Sequence, residues 1–295
     1  MKKLLSIAFC LAMLITLPAT AFASDMPTNN VNVRQASINE YEALKALSKE
    51  SVAVLSEKGF SSAEISKIQN YKQTYSEHIM SLQGLPTDVL AKHGYSPKQI
   101  SAIKNFNGSE AQMSLAAASL DIYSTITNFK YKAGDRTTGR LAYGWEWTGV
   151  PSFKLCDMVA ASWNSWHLTG QNSSIGYFNI NTGEHYDSDS ADFVTPKNSE
   201  WNGAGHRFTV GKSDNHYYAK SGSGFFTIES DGLYQKDFYY YIEYGHATFS
   251  SNIGFSVSVP GGAAGSISFS VTTAYAGSDS GSYRWRSEER RVGKE

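Results

Sequence analysis

The chain has 295 residues, 41% of them hydrophobic and 18% charged, with a formal net charge of −1 at pH 7. Residues 24–285, without the two terminal segments described below, carry 20 Lys and Arg against 24 Asp and Glu, a net charge of −4. This mild acidity excludes the basic footprint of a nucleic-acid-binding protein. Only one cysteine, Cys156, follows the first ten residues, so a hydrophobic core rather than disulfide bonds must hold the fold.

The first 23 residues have the pattern of a secretory signal peptide. Lys2 and Lys3 precede an apolar run, residues 4–17, and Ala21-Phe22-Ala23 forms a small-x-small cleavage site. The apolar run is shorter than the ~20 residues of a membrane-spanning helix. We therefore expect a secreted protein whose mature chain begins near Ser24.

The last ten residues, Arg286–Glu295, read RSEERRVGKE. This peptide resembles translated sequencing adapter rather than native protein, and the match runs through all ten residues. Such segments are excluded from reasoning about the fold. We therefore treat residues 286–295 as an artefactual tail.

Residues 24–118 contain one unit twice, at a spacing of 35 residues. VLSEKGFSSAEISKIQNY at residues 54–71 recurs as VLAKHGYSPKQISAIKNF at residues 89–106. A fixed period of this length indicates stacked supersecondary units. One unit has too few apolar residues to bury alone, so two copies are expected to share a core in a small helical repeat domain.

Each copy of the repeat predicts a helix, a tight turn and a second helix. Gly59 and Gly94 suit the left-handed conformation that ends a helix. Ser61 with Glu64, and Ser96 with Gln99, have the spacing of a capping box.

Residues 119–285 are rich in aromatic residues and predict strands. In LAYGWEW, residues 141–147, large apolar side chains alternate with small or polar ones, and turn signals such as NTGE and SDG separate further short runs. This pattern is typical of an antiparallel β-sandwich, here of about eight to ten strands. The predicted fold class is α+β, with the helical repeats first and the sandwich second.

The segment at residues 252–275 predicts a hairpin with one apolar face. It favours an outer hairpin packed on the core. The alternative is a membrane-inserting hairpin, because the alternation has the length of a barrel strand and the hairpin resembles those of β-pore-forming toxins. The apolar positions are Phe255, Val257, Val259, Ile267, Phe269 and Val271.

Two sets of residues are candidates for ligand binding. Trp145, Trp147 and Tyr240 could stack on sugar rings if exposed, although the sequence favours a place in the core. Asp187, Asp189 and Asp192 could hold Ca²⁺ through oxygen ligands, although a solvated acidic turn is the simpler interpretation. Calcium is the one cofactor these residues suggest.

No catalytic signature is present in the sequence. There is no GxSxG, no HExxH and no phosphate-binding glycine loop. Cys156 lies in an apolar run, where a lone cysteine is more often a small buried hydrophobe than a nucleophile.

The lysine-led leader, the scarcity of cysteine and the helical repeats ahead of an aromatic β part are similar to those of uncharacterised secreted proteins of Gram-positive bacteria. This resemblance implies an extracellular or cell-surface location. Three function classes stay open. We favour a non-enzymatic surface protein that binds glycan, cell-wall polymer or extracellular protein. The others are a secreted pore-former that uses the hairpin, and a hydrolase with a dispersed site.

Overall fold

The computed structural model describes residues 34–130, 135–164, 166–197, 202–232, 237–248, 254–258, 266–269 and 273–284. The leader, the tail, Val259 and Val271 lie outside these ranges. Within them, every helix is too short or too polar to cross a membrane.

Between residues 34 and 118, the structure describes seven short helices. The expected capping boxes are present at Ser61 with Glu64 and at Ser96 with Gln99. Gly59 and Gly94 have φ of 90° and 94°, a conformation that costs glycine little. The helices are α1 (Glu40–Leu47), α2 (Val52–Glu57), α3 (Ser62–Gln69), α4 (Tyr71–Gln83), α5 (Thr87–Lys92), α6 (Pro97–Lys104) and α7 (Glu110–Ala116).

Fourteen strands are described, and one of them contains the predicted run at residues 141–147. They are β1 (Arg34–Asn39), β2 (Ser119–Lys130), β3 (Thr138–Thr148), β4 (Cys156–Trp163), β5 (Trp166–Asn179), β6 (His185–Asp189), β7 (Asp192–Val194), β8 (Gly203–Thr209), β9 (Gly211–Lys212), β10 (Tyr217–Ser230), β11 (Asp237–Ala247), β12 (Phe255–Ser258), β13 (Ser266–Phe269) and β14 (Thr273–Arg284).

The described strands form three antiparallel sheets: β12 pairs with β13 in a small one, and the two larger sheets face each other. The first has the order β1-β2-β3-β10-β5-β6, with β9 paired to β10, and the second has the order β14-β11-β4-β8-β7. Trp145 of the first sheet stacks on Phe208 of the second, with ring centroids 4.8 Å apart. Trp163 of the second sheet contacts Phe226 of the first. The fold is therefore mixed α and β with a sandwich-like pair of sheets.

The helices lie across one end of the sandwich. His93 contacts the first sheet and the turn after β5 through its two ring nitrogens: its Nδ1 and the Tyr218 hydroxyl are 3.0 Å apart, and its Nε2 is 2.8 Å from the carbonyl oxygen of Ile180. The hydroxyl of Tyr95 accepts a hydrogen bond from the backbone N–H of Val150. One hydrophobic core runs from the helices into both sheets.

The composition changes near residue 118, where the helices end and β2 begins. The main hydrophobic core nevertheless contains residues from both sides of this point. Strand β1 precedes every helix and pairs with β2, which follows them all. Among the described residues, two small clusters are separate from the main core. One lies under β12 and β13, and the other lies at the first repeat copy: Leu47, Leu55, Phe60, Ile65 and Ile68.

Candidate functional site

The aromatic residues singled out in the sequence lie in the core. Trp145 and Trp147 are each 1% exposed and Tyr240 is 3% exposed. Alternation along β3 directs both tryptophans toward the second sheet, where Trp145 stacks on Phe208 and Trp147 meets His246. The three side chains thus occupy the place in the core that the sequence favoured, and in this arrangement they are not available to stack on a sugar ring.

The three candidate calcium ligands lie on β6 and β7 and are already paired with cations. Lys212 Nζ is 2.8 Å from Asp189 Oδ2 and 3.7 Å from Asp187 Oδ2. Asp192 lies 3.5 Å from Arg207. In the described part of the chain, no group of three His, Cys, Asp or Glu residues is placed to hold a metal. In this arrangement the carboxylates pair with Lys212 and Arg207, and calcium binding at Asp187, Asp189 and Asp192 stays a prediction.

The hairpin β12–β13 packs against the outer face of the second sheet. Phe255 and Val257 are 0% and 5% exposed and Ile267 is 8% exposed, while Phe269 is partly buried. They pack with Cys156, Met158 and Ala160 of β4. In this conformation the alternating face covers the protein's own sheet, as expected of an outer hairpin, and presents no membrane-facing surface.

A buried cluster of charged residues joins the helices to the second sheet. The ring of His246 lies between two carboxylates, with Nδ1 2.9 Å from Asp157 Oδ1 and Nε2 3.2 Å from Glu40 Oε1. Tyr244 and Tyr75 donate hydrogen bonds to Asp157 and Glu40 respectively. We call Glu40, Asp157 and His246 the buried triad.

The interactions between His246 and its carboxylate neighbours determine the protonation state of the buried triad. Burial alone would lower the pKa of His246, but Asp157 and Glu40 together raise it to about 10. Burial alone would raise the pKa of Glu40, but its hydrogen bond and charge interaction with His246 leave it lowered. His246 is therefore an imidazolium and donates from both ring nitrogens.

The triad holds the fold together rather than acting on a substrate. Its members are at most 1% exposed, so a substrate cannot reach them. Glu40 also accepts hydrogen bonds from the backbone N–H groups of Ser152 and Phe153. It thus ties α1 to the β3–β4 loop and, through His246, to the second sheet. Local sequence patterns could not reveal the triad because its members are far apart in the chain.

An exposed aromatic surface lies where β6 and β9 flank the first sheet. Tyr186 is 52% exposed and stacks on Tyr217, with ring centroids 3.7 Å apart and planes 18° apart. Lys212 Nζ lies 4.1 Å from the centroid of the Tyr177 ring. We call this the β6–β9 surface, and its side chains are Tyr177, Tyr186, Asp187, Asp189, Lys212 and Tyr217.

Two backbone irregularities build this surface. The register of β5 and β6 shifts between Tyr177 and Phe178, so Tyr186 sits at a β-bulge, a feature that redirects side chains at sheet edges. Beyond β9, Ser213, Asp214 and Asn215 have φ of 49°, 54° and 64°. Asparagine and aspartate, which stand at two of these three positions, adopt this left-handed conformation more readily than other residues that carry a Cβ.

Lys212 forms ion pairs with both carboxylates of the β6–β9 surface, Asp187 and Asp189. Its hydrogen bond to Asp189 raises the pKa of Lys212 and lowers that of Asp189. Both groups therefore stay ionised at neutral pH, and the lysine is held over the Tyr177 ring. The hydroxyl of Tyr177 donates to the carbonyl oxygen of Thr209 at 2.7 Å.

A cleft of about 420 Å³ adjoins this surface at Thr209. It is lined by residues 154–156, residues 207–209 and Asp192. This volume is in the range of small-molecule sites. Burial raises the pKa of the Cys156 thiol to about 11. The thiol is therefore uncharged at neutral pH and lacks the thiolate form that a nucleophilic cysteine needs. Desolvation lowers the pKa of Lys154.

Sequence reasoning missed the aromatic part of this surface, although a signal was present. Tyr186 lies inside the HYDSDSADF stretch, residues 185–193. The alternating carboxylates of this stretch suggested calcium binding, and no role was predicted for the tyrosine. The consecutive Ser213, Asp214 and Asn215 are residue types found in turns, and aspartate and asparagine tolerate the left-handed region. The contact between Tyr186 and Tyr217 depends on strand pairing between distant parts of the chain.

Comparisons with known proteins give only distant likenesses. No protein-family model matches the chain, and a search of curated proteins finds no match. Among solved structures, AvmM, which catalyses macrocyclization in alchivemycin A biosynthesis, is 11% identical, with 55% of this chain and 87% of AvmM covered and a TM-score of 0.28. The collagen-binding domain of a Staphylococcus aureus adhesin is 10% identical, with 54% and 99% covered and a TM-score of 0.27.

A third similar structure is the C-terminal domain of the Streptococcus agalactiae AgI/II polypeptide BspA. It is 8% identical, with 43% of this chain and 53% of that chain covered and a TM-score of 0.26. At these scores the likenesses assign neither a family nor a function to the chain.

Proposed function

We propose that the protein is a secreted, non-enzymatic binding protein of the extracellular space or cell surface, and that it binds through the β6–β9 surface and the adjoining cleft. The observation that carries this proposal is the exposed stack of Tyr186 on Tyr217 beside the cleft. An aromatic ring that is half exposed yet held in place by a neighbour offers contact area at a small entropic cost.

The chemistry of nearby groups favours binding over catalysis. The Cys156 thiol is protonated at neutral pH because burial raises its pKa to about 11. The imidazole of His246 is enclosed by Asp157 and Glu40 and cannot exchange a proton with a ligand in the cleft. The proposed location outside the cell rests on the signal-peptide pattern of residues 1–23.

The experiment is retention on insoluble matrices. The full chain, secreted with its own leader, is mixed with Gram-positive cell wall, insoluble polysaccharides and collagen, and its loss from the supernatant is measured. We expect saturable retention on at least one matrix and no release of soluble fragments from it. Retention on none of them would overturn the proposal, and steady release of fragments would point to a hydrolase instead.

The matched variants are Tyr186→Ala and Met80→Ala. Both residues are exposed, 52% and 51% respectively, but Met80 lies on α4, away from the β6–β9 surface. The change at Tyr186 is expected to weaken retention about tenfold or more, and the change at Met80 to leave it unaltered. Equal retention of both variants would place the binding surface elsewhere.

A further inference from the structure

Strand register places the aromatic and the charged side chains of the β6–β9 surface on one face of the first sheet. Directly opposed residues of antiparallel strands project their side chains from the same face, as do residues two apart in one strand. Tyr217 lies opposite Lys212 on β9 and opposite Asn179 on β5. Tyr177, two residues before Asn179, lies opposite Asp187 on β6. The tyrosines, the lysine and the carboxylate are therefore neighbours on one continuous surface.

The aromatic part of this surface offers a flat ring that is already held in place. Tyr186 stacks on Tyr217, with ring centroids 3.7 Å and planes 18° apart, and is 52% exposed. Tyr217 supports one face of the Tyr186 ring, so the exposed area includes the other face. The C–H face of a sugar ring packs on such an apolar plane. The tyrosine loses little conformational freedom on binding, because its neighbour already fixes it.

The polar part offers hydrogen-bond acceptors and a donor beside the stacked rings. Lys212 Nζ is 2.8 Å from Asp189 Oδ2 and 3.7 Å from Asp187 Oδ2, and the two carboxylate side chains are 53% and 54% exposed. Since the Cα atoms of opposed residues are about 4.5–5.5 Å apart, Lys212 is one strand away from Tyr217, within the span of one or two sugar units. A hydroxyl group both donates and accepts, so it donates to a carboxylate and accepts from the lysine. Such charge-assisted hydrogen bonds are stronger than neutral ones.

The charges of these groups favour an uncharged ligand. Two carboxylates face one ammonium group, which gives the surface a net charge of −1, so acidic polymers are repelled. A cationic ligand would have to compete with Lys212, which already pairs with both carboxylates. In addition, Oδ1 of each carboxylate accepts a hydrogen bond from the backbone N–H of the next residue.

Hydroxyl groups do not face this competition. An ionised carboxylate has about four lone-pair sites, so acceptor capacity remains for hydroxyl donors at both aspartates. An uncharged sugar matches both parts of the surface, because its C–H face is apolar and its hydroxyl groups project from the edge of the ring.

We propose, building on the function proposed above, that the ligand of the β6–β9 surface is an uncharged glycan. One sugar ring stacks on Tyr186. Hydroxyl groups of that sugar or of the next one in the chain donate to Asp187 and Asp189 and accept from Lys212. Tyr186 provides affinity for sugars in general, and Asp187, the more weakly paired carboxylate, provides the discrimination against acidic ones.

The test uses a glycan array, followed by calorimetry with a matched pair of ligands. The array carries oligosaccharides of glucose, mannose, galactose and N-acetylglucosamine in uncharged form, together with carboxylated, sulfated and amino-sugar oligosaccharides. The pair consists of the uncharged oligosaccharide that gives the strongest signal and its oxidised form, in which each primary hydroxyl group is converted to a carboxylate.

The full-length wild-type protein is compared with the variants Tyr186→Ala, Tyr186→Phe and Asp187→Asn, after thermal unfolding has shown that each one folds. Met80→Ala is the control for the tyrosine. Asp231→Asn is the control for the aspartate, because Asp231 is also exposed and ion-paired, with His167, but follows the far end of β10 from Tyr217.

We expect uncharged glycans to give the strongest array signals, and the uncharged member of the pair to bind about tenfold more tightly than its oxidised form. Tyr186→Ala should weaken both ligands about tenfold or more, while Tyr186→Phe should retain most of the affinity because stacking needs only the ring. Asp187→Asn should weaken the uncharged ligand and strengthen the oxidised one, so that the preference falls to about threefold or less. Both control variants should behave as wild type.

Three results would overturn the proposal: no uncharged glycan bound on the array, stronger signals from charged glycans than from uncharged ones, or an affinity for the uncharged ligand that survives Tyr186→Ala. An unchanged preference in Asp187→Asn would remove the role given to that carboxylate. The failure of this proposal is separable from failure of the proposed function. If the protein is retained on an insoluble matrix such as collagen but binds no uncharged glycan, it is a binding protein with another ligand. If it is retained on no matrix and binds no glycan, both proposals fail.

Discussion

His246 and Asp157 form a charged pair inside the core, with Nδ1 of the ring 2.9 Å from Oδ1 of the carboxylate and side chains that are 2% and 0% exposed. Glu40 completes the arrangement on the other side of the ring. Removing the cation would leave two carboxylates buried close together. This makes the buried triad the most sensitive polar element of the described fold.

We expect His246→Ala to lower the free energy of unfolding by about 3–5 kcal/mol, the cost of leaving a buried charge without its partner. Urea titration at pH 7 measures this loss. His185→Ala is the control, since His185 is exposed on β6. A loss of less than about 1 kcal/mol for His246→Ala would mean that the triad relaxes without its imidazolium.

The triad also predicts how stability depends on pH. Since the pKa of His246 is raised to about 10 from an ordinary value of 6.5, its contribution is complete below pH 6.5 and is lost as the pH rises toward 10. The pKa of Glu40 is lowered from its ordinary value of 4.5. The contribution of Glu40 to stability is therefore present above pH 4.5 and is lost on acidification. Thermal unfolding from pH 4 to 10 should show a stability maximum between these limits, and His246→Ala should flatten the alkaline side.

Glu243 should destabilise the protein at neutral and alkaline pH. It is 5% exposed, its Oε2 has no hydrogen-bond partner, and burial raises its pKa to about 8 from 4.5. Between these values the folded protein holds a proton that the unfolded chain has released, so stability falls as the pH rises. We expect Glu243→Gln to stabilise the protein by roughly 2–4 kcal/mol at pH 8 and by about zero below pH 4.5.

Thermal unfolding at the two pH values tests this prediction. The exposed residue Glu57 provides the control variant, Glu57→Gln, which should change stability little at either pH. A stabilisation by Glu243→Gln that is the same at pH 4 and pH 8 would show that the effect does not come from ionisation of the carboxyl group.

Truncation of a buried aromatic side chain should lower the free energy of unfolding far more than truncation of an exposed one. Trp145→Ala removes a ring that is 1% exposed and should cost about 3–5 kcal/mol. Tyr186→Ala removes a ring that is half exposed and should change stability by only about 0.5 kcal/mol. Chemical denaturation of both variants measures the difference. A large loss for Tyr186→Ala would make the Tyr186–Tyr217 stack a structural element rather than a binding platform.

The hairpin should behave as part of the folded core. Phe255 is fully buried against the second sheet, so Phe255→Ala should cost about 3 kcal/mol. The wild-type protein at micromolar concentration should release no dye from liposomes of neutral or anionic lipid. Phe269→Ala, at a half-buried position, is the milder control. Dye release by the wild-type protein would restore the pore-forming alternative, because it would require the hairpin to leave the sheet.

Local features of the fold were predictable because they depend on neighbours in the chain. The capping boxes at Ser61 and Ser96 and the glycine turn before each follow from residues a few positions apart. The strands were predictable from period-two alternation. Alternation does not say which face is buried, however, and this left Trp145 and Trp147 ambiguous until the position of the second sheet was known.

The candidate site was less predictable for the same reason. Its parts come from β5, β6, β9 and the β3–β4 loop, and only strand pairing brings them together. The charges of Asp187 and Asp189 were visible in the sequence, but not that Lys212 neutralises them.

The pairing of β1 with β2 has a consequence for how the chain assembles. Residues 40–118 form the loop that this pairing closes, since Asn39 lies opposite Ser119. Closing so long a loop costs less entropy if the helices form first and shorten it. A protease cut in a turn between helices should therefore leave two fragments that stay associated, because the first supplies an edge strand and Glu40 to the second. Co-elution of the two fragments on gel filtration would show that the sheet, and not the peptide bond, joins the two ends of the helical segment.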